Sequence, residues 1–279
     1  MPYAANPMAS LGYCNICGTN GPLTADHVPP KGASSLSAAE TKTLIRHLSL
    51  DTQRPKVYQN GVKFPTLCDA CNNGRLGGHY DPSLVDLTKD VSRIVRAAHS
   101  GTVVLPAEIK VGVKVHRVAR SILGHLLAVL PYPYAGEPLV HAPFPDAMRE
   151  YFLDQSRPLP DQMSIYYWIY PSDLHVVARG FGISDARNPA WIVGDMIKFF
   201  PLGYWVTWEA PRSVTIPLPQ LIANRAGGID DVEDLRIPLR NVPPLGWPER
   251  PGAWGMNMFS DEMTFVAYPR KRRRRKGRR

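Results

Sequence analysis

Two C-x-x-C pairs, Cys14-Asn-Ile-Cys17 and Cys68-Asp-Ala-Cys71, hold all four cysteines of this 279-residue chain. They constrain the fold more than any other feature. The first fourteen residues contain no apolar run of the kind an export signal needs, so paired thiols in this spacing argue for a metal site over disulfides. Two residues between thiols let both sulfurs of a pair face one ion, and four thiolates match the closed tetrahedral shell of a structural zinc. An ion held this way ties together segments 50 residues apart. That insert is longer than a simple ribbon uses, so something must fold inside it.

Length and apolar content suffice for one large domain or two ordinary ones. No stretch approaches the roughly 18 uninterrupted apolar residues of a membrane span. The expectation is a cytoplasmic protein without membrane contact, nucleoid-associated if the source is prokaryotic. Formal charge is +9, but nine of the bases lie in the last eleven residues, PRKRRRRKGRR, and removing them leaves 24 basic against 24 acidic residues. Basicity therefore belongs to a tail. Arg270, Lys271, Arg272, Arg273, Arg274 and Arg275 read as an arm for a polyanion, with disordered, solubilising sequence as the bland alternative.

Along the chain, PLTADHV reads as a short strand ending at His27, residues 36–50 as a helix, and YQNGVKFPTLC as an Asn-Gly turn and strand entering the second thiol pair. Three glycines between 74 and 78 predict a short or distorted turn. Asp81 and Pro82 then read as the N-cap and first position of a helix that stops near Gly101. From 102 onward come an extended segment, a buried helix over 115–130, and apolar or alternating runs including SIYYWIYP, LHVVARGFGIS, WIVGDMIKFFPLGYWVTWE and SVTIPL. The fold class expected is α+β: a zinc-stabilised domain over 1–101, a mixed domain with a mainly antiparallel sheet over 102–268, and a disordered tail over 269–279. Trp168, Trp191, Trp205 and Trp208 read as core, and 224–258 as a Pro- and Gly-rich loop. His125 and the other scattered histidines have no ligand partners at recognisable spacing.

Asp26-His27 lies inside the insert, before Pro29-Pro30, and Asn72 follows the last thiol. Phosphodiester hydrolysis needs a base that is neutral near pH 7, which imidazole supplies, and a hard cation to offset phosphate charge. Mg2+ takes oxygen ligands and keeps several waters, so one carboxylate and one carboxamide suffice. Asp26 and Asn72 carry those two oxygens. Neighbours on a strand face opposite ways, so the prolines must end the strand if Asp26 and His27 are to share a site.

The arrangement Cys14-x-x-Cys17, Asp26-His27-Val-Pro-Pro and Thr-Leu-Cys68-x-x-Cys71-Asn72 resembles the HNH, or ββα-metal, endonucleases, in the zinc-containing branch built on a treble clef that includes phage enzymes resolving branched DNA. The likeness covers about the first third of the chain. It implies an endonuclease acting on DNA, with His27 as general base, Asp26 and Asn72 as ligands of Mg2+ or Mn2+, and the four cysteines on zinc. RNA stays open as substrate, and Asn73 and His79 stand as alternatives to Asn72. Lys31 and Arg75 are candidate phosphate contacts, and 102–268 would select substrate or a protein partner. Restriction, phage defence and mobile-element processing are the roles implied. Many relatives carry a further Asn before the second thiol pair; Asn60 is the nearest here and sits early. The competing reading is a non-catalytic zinc-knuckle protein that binds nucleic acid.

Overall fold

The computed structural model of the chain describes residues 11–34, 38–49, 54–101, 106–129, 138–186, 188–240, 242–252, 255–259 and 264–269. The arm at Arg270, Lys271, Arg272, Arg273, Arg274 and Arg275 lies outside the described residues. In chain order the elements are β1 (Leu11–Tyr13), β2 (Asn20–His27), β3 (Ala39–Lys42), α1 (Leu44–Leu48), β4 (Lys56–Tyr58), β5 (Lys63–Cys68), a π-helix (Ala70–Tyr80), α2 (Asp81–His99), β6 (Glu108–Val113), α3 (Val115–Ala128), α4 (Pro143–Leu153), β7 (Met163–Ile169), β8 (His175–Asp185), β9 (Asn188–Phe199), β10 (Leu202–Trp208), β11 (Glu233–Pro238), β12 (Gly255–Met258) and β13 (Thr264–Pro269).

The class is α+β, and every pairing between these strands is antiparallel. A small sheet has the order β1-β2-β5; an eight-stranded sheet has the order β4-β3-β13-β8-β9-β10-β7, with β12 also on β8; β6 and β11 form a two-stranded ribbon. β3 and β4 thus belong to the large sheet although they lie between the thiol pairs. One apolar cluster runs from Cys14 through Val91 and Leu126 to Leu239. The core therefore crosses the boundary expected at 101/102. No helix among the described residues is long and apolar enough to cross a membrane.

Four local expectations differ from the structure. Residues 39–42 form a strand, leaving α1 only 44–48. Ala39 and Thr41 are buried while Glu40 and Lys42 are not, and pairing with β13 outweighs the helical propensity of this stretch. SVTIPL forms no strand, whereas β11, inside the expected loop 224–258, does. α4 was not expected, although Pro143 opens it and Phe144, Met148, Tyr151 and Phe152 recur at helical spacing. The glycines at 74–78 do not stop the helix: the Asp81 N–H bonds to the Leu76 carbonyl five residues back, and the widened coil runs directly into α2. Trp168 and Trp205 are core residues, but Trp191 is 38% exposed.

α3 is the element that brings the two halves together. Almost all of it is buried. The carbonyls of its last turn are taken by side chains from three segments: Arg179 on Leu126, Asn15 Nδ2 on Leu127 at 3.2 Å, and Thr66 Oγ1 on Ala128 at 2.7 Å. A helix end buried in protein needs such donors, because water cannot reach it. Gly124 sets how closely α3 approaches its neighbours. A Cβ there would stand 2.6 Å from both Leu76 of the π-helix and Phe152 of α4, which are themselves fully buried. Helix propensity alone would make Gly124→Ala stabilising by about 1 kcal/mol. Overpacking is expected to win and destabilise the protein by about 1–3 kcal/mol, read from the urea midpoint. A raised midpoint would show that the contact relaxes freely.

Candidate functional site

The first thiol pair sits in the turn between β1 and β2, where Gly18 takes φ +71 and its N–H bonds back to the Cys14 carbonyl at 2.9 Å. The second straddles the end of β5 and the start of the π-helix. The four sulfurs lie within 4.8 Å of one another, with Cys17 Sγ 3.6 Å from Cys68 Sγ. A regular tetrahedron of 2.3 Å metal–sulfur bonds places its sulfurs about 3.8 Å apart. Without a cation the thiols compete for charge. The hydrogen bond from Cys71 holds Cys14 down to about 5, the same bond pushes Cys71 far up, and burial pushes Cys68 up to about 11. Four clustered sulfurs that cannot all ionise alone suit a bound metal ion. Among the described residues this is the one such cluster of cysteine, histidine and acidic ligand atoms.

β2 leaves this knuckle and pairs with β5 across a bulge. Thr24 faces Leu67 and Ala25 faces Pro65, so Thr66 is the extra residue. A bulge adds twist and re-aims the residues after it. Asp26 is then buried, while His27, the last residue of the strand, is half-buried. Both line a cleft of about 480 Å3 with Lys31, Asn72, Asp81 and Lys89. The chain turns at Pro29-Pro30, so adjacent side chains reach one cavity as the strand ends.

Asn72 is buried and oriented by a two-step relay. Thr24 Oγ1 spends its only hydrogen on the Leu67 carbonyl at 3.0 Å, so it can only accept from Asn72, whose Nδ2 donates at 2.9 Å. The amide nitrogen is fixed toward Thr24. Oδ1 remains as the acceptor. Asn73 also lines the cleft, but its Nδ2 is spent on Asp69 Oδ1 at 2.6 Å; His79 is exposed and does not line it.

Sequence reasoning missed the partner of Asp26. His125 on α3 is fully buried, with Nδ1 2.7 Å from Asp26 Oδ2 and Nε2 3.0 Å from Asp81 Oδ1. Burial alone would lower the His125 pKa; the two carboxylates outweigh it and hold the value up to about 10. Both ring nitrogens therefore carry protons, as two carboxylate acceptors require. Burial pushes Asp26 up despite His125, whereas Asp81 also meets desolvation but is held below its usual range by His125 and by Ser121 Oγ at 2.7 Å. Asp81 is therefore not the N-cap expected: it is the first helical residue, and its carboxylate faces the imidazole. A signal was present in α3. His116, Arg120, Ser121 and His125 are polar residues on the buried faces of this helix, and buried polar groups demand partners.

His27 is set differently. Burial, then the nearby Lys63 ammonium, lower its pKa below the ordinary imidazole value, with Asp26 and the Asn60 backbone opposing them. Lys31 reaches the cleft. Arg75 does not: Nη1 donates to the Leu153 carbonyl at 2.8 Å, tying the π-helix to the end of α4. Comparison of the chain with protein-family models, curated proteins and solved structures finds no match.

Proposed function

We propose that this cleft hydrolyses phosphodiester bonds in DNA as an HNH-type endonuclease, with the thiol cluster as a structural zinc site in a treble-clef, or ββα-metal, unit. One observation carries the reading. Asp26, His27 and Asn72 line the same cavity, with His27 held toward its neutral form and the Asn72 Oδ1 left unspent.

Mg2+ or Mn2+ would be held by Asp26 and by Asn72 Oδ1, and when bound it offsets charge on the phosphate and leaving oxygens. Asp26 commits Oδ2 to His125, which fixes the carboxylate and leaves Oδ1 for the ion. His27, held toward its neutral form, carries a ring-nitrogen lone pair that takes a proton from the attacking water. Four sulfurs around zinc leave no open position, so that ion holds the β1–β2 turn against the π-helix and takes no part in the reaction. Lys31 at the rim supplies a phosphate contact. The C-terminal arm adds salt-sensitive affinity without sequence information.

The test is relaxation of supercoiled plasmid with added Mg2+ or Mn2+, or with no divalent cation. His27→Ala is expected to lose about 10²–10⁴-fold in rate. Asp26→Ala and Asn72→Ala should lose activity in step with metal dependence. Cleavage by His27→Ala equal to wild type would overturn the proposal and leave a metal-stapled nucleic-acid-binding protein. A parallel digestion of RNA of matched sequence decides the substrate; faster RNA cleavage would replace DNA in the proposal.

A further inference from the structure

A second groove of about 380 Å3 opens beside the cleft, and Gly32 and Lys89 belong to the walls of both. Lys89, Arg93 and Arg96 line it from α2. Spacings of four and three residues place them on one helical face, opposite the buried stripe Leu84, Leu87, Val91 and Val95. At about 1.5 Å per residue the three cations span about 10 Å. That is the axial rise of about three phosphates along one strand of duplex.

Three residues of the far wall come from much later in the chain. Asp173, His175 and Phe200 lie there with Ser34, and Asp173 is the one acid among the described residues that line the groove. Arg96 is held with its guanidinium carbon 5.2 Å from the centre of the Phe200 ring, a contact that steadies the cation. Arg93 touches Asp90 at 3.4 Å, but both side chains are largely exposed, and such a pair contributes little in water. A phosphate can replace it. Nothing in this wall resembles a platform for stacking bases, since Phe200 is already covered by Arg96. Cations on a helix face, joined to a cleft that would cut phosphodiesters, point to backbone contact rather than base reading.

We propose that this groove carries one strand of the substrate away from the cleft, its phosphates meeting Lys89, Arg93 and Arg96 in turn. The inference rests on the cleft as the cutting site, and its test is made separable from that reading. Binding of a fluorescein-labelled 20-base-pair duplex would be followed by anisotropy without added divalent cation, between 50 and 200 mM salt, using the full chain. The triple variant Lys89→Gln, Arg93→Gln, Arg96→Gln should bind at least ten-fold more weakly at 100 mM salt. Its plot of log K against log salt should be shallower by about 2–3, from about 0.9 per lost phosphate contact. All three side chains are exposed, so folding is not at stake. A control triple at exposed cations outside both grooves, Lys56→Gln, Lys110→Gln, Arg212→Gln, should change the slope by less than one. An unchanged slope in the groove variant, or an equal change in the control, overturns the proposal. If plasmid is never cut yet the groove variant shows the expected loss, the groove stands as a nucleic-acid surface and the catalytic reading falls.

Discussion

Replacing Cys71 with serine, or stripping the thiol cluster with a strong chelator, is expected to unfold the hairpin end of the protein and to take the last turn of α3 with it. Structural zinc in small sites contributes about 10–16 kcal/mol of apparent binding free energy. That matches or exceeds the whole stability of a typical domain, about 5–15 kcal/mol. Cys14 and Cys71 are the buried members of the cluster, so a serine in place of Cys71 leaves an incomplete shell with no water to fill it. The knuckle also feeds the rest of the structure. Asn15, between the paired thiols, bonds through its N–H to the Thr66 carbonyl, through Nδ2 to Leu127, and through its own carbonyl to Arg149 Nε. Loss of the knuckle therefore removes donors from carbonyls of β5 and α3 and an acceptor from Arg149 of α4. Metal analysis should give one zinc per chain, and circular dichroism of Cys71→Ser should show a melting temperature lowered by tens of degrees. Equal melting of wild type, chelated protein and Cys71→Ser would refute a structural metal.

The second large effect is expected at His125. His125→Ala would leave Asp26 and Asp81 facing one another across a cavity, both deprived of their donor. Removing one partner of a buried ion pair costs about 3–5 kcal/mol. The pH dependence gives the sharper test. The folded pKa of His125 is held up to about 10, above the ordinary 6.5, so its stabilising contribution is complete below about pH 6.5 and is lost as pH rises toward 10. Asp81, held low, acts in the opposite direction: its share is present above the ordinary aspartate range and disappears as pH falls through the lowered value. Urea denaturation of wild type and His125→Gln should show their difference in stability shrinking from pH 6.5 to 9.5. A difference that stays constant over that range would show that the imidazole is not charged between the carboxylates.

Short-range chemistry made much of this legible from sequence. Two C-x-x-C pairs placed four sulfurs together because each pair is local and one ion can join them. β2 ended at His27 because two prolines follow, and α2 stopped where Gly101 takes a positive φ. What escaped was set by contacts distant in the chain. Residues 39–42 have helix-forming composition but form a strand held between β4 and β13, the latter more than 220 residues later. Asp81 has the composition of a cap, and nothing local shows that His125 claims its carboxylate 44 residues away. Arg75 reads as a free cation until α4, itself unexpected, presents the Leu153 carbonyl. The glycines at 74–78 signalled distortion correctly, but not that a wider coil would carry the chain unbroken into α2.

His125 also limits how portable the cleft is. Every residue that carries the resemblance lies before position 82, yet the imidazole steadying Asp26 arrives from α3, beyond the boundary expected at 101/102. A fragment cut at residue 101 would keep the recognisable motif and expose the bare acid it was built around. Transplanting this unit onto another scaffold would therefore require carrying α3 along, so its modular boundary is drawn by a side chain and not by the sequence signature.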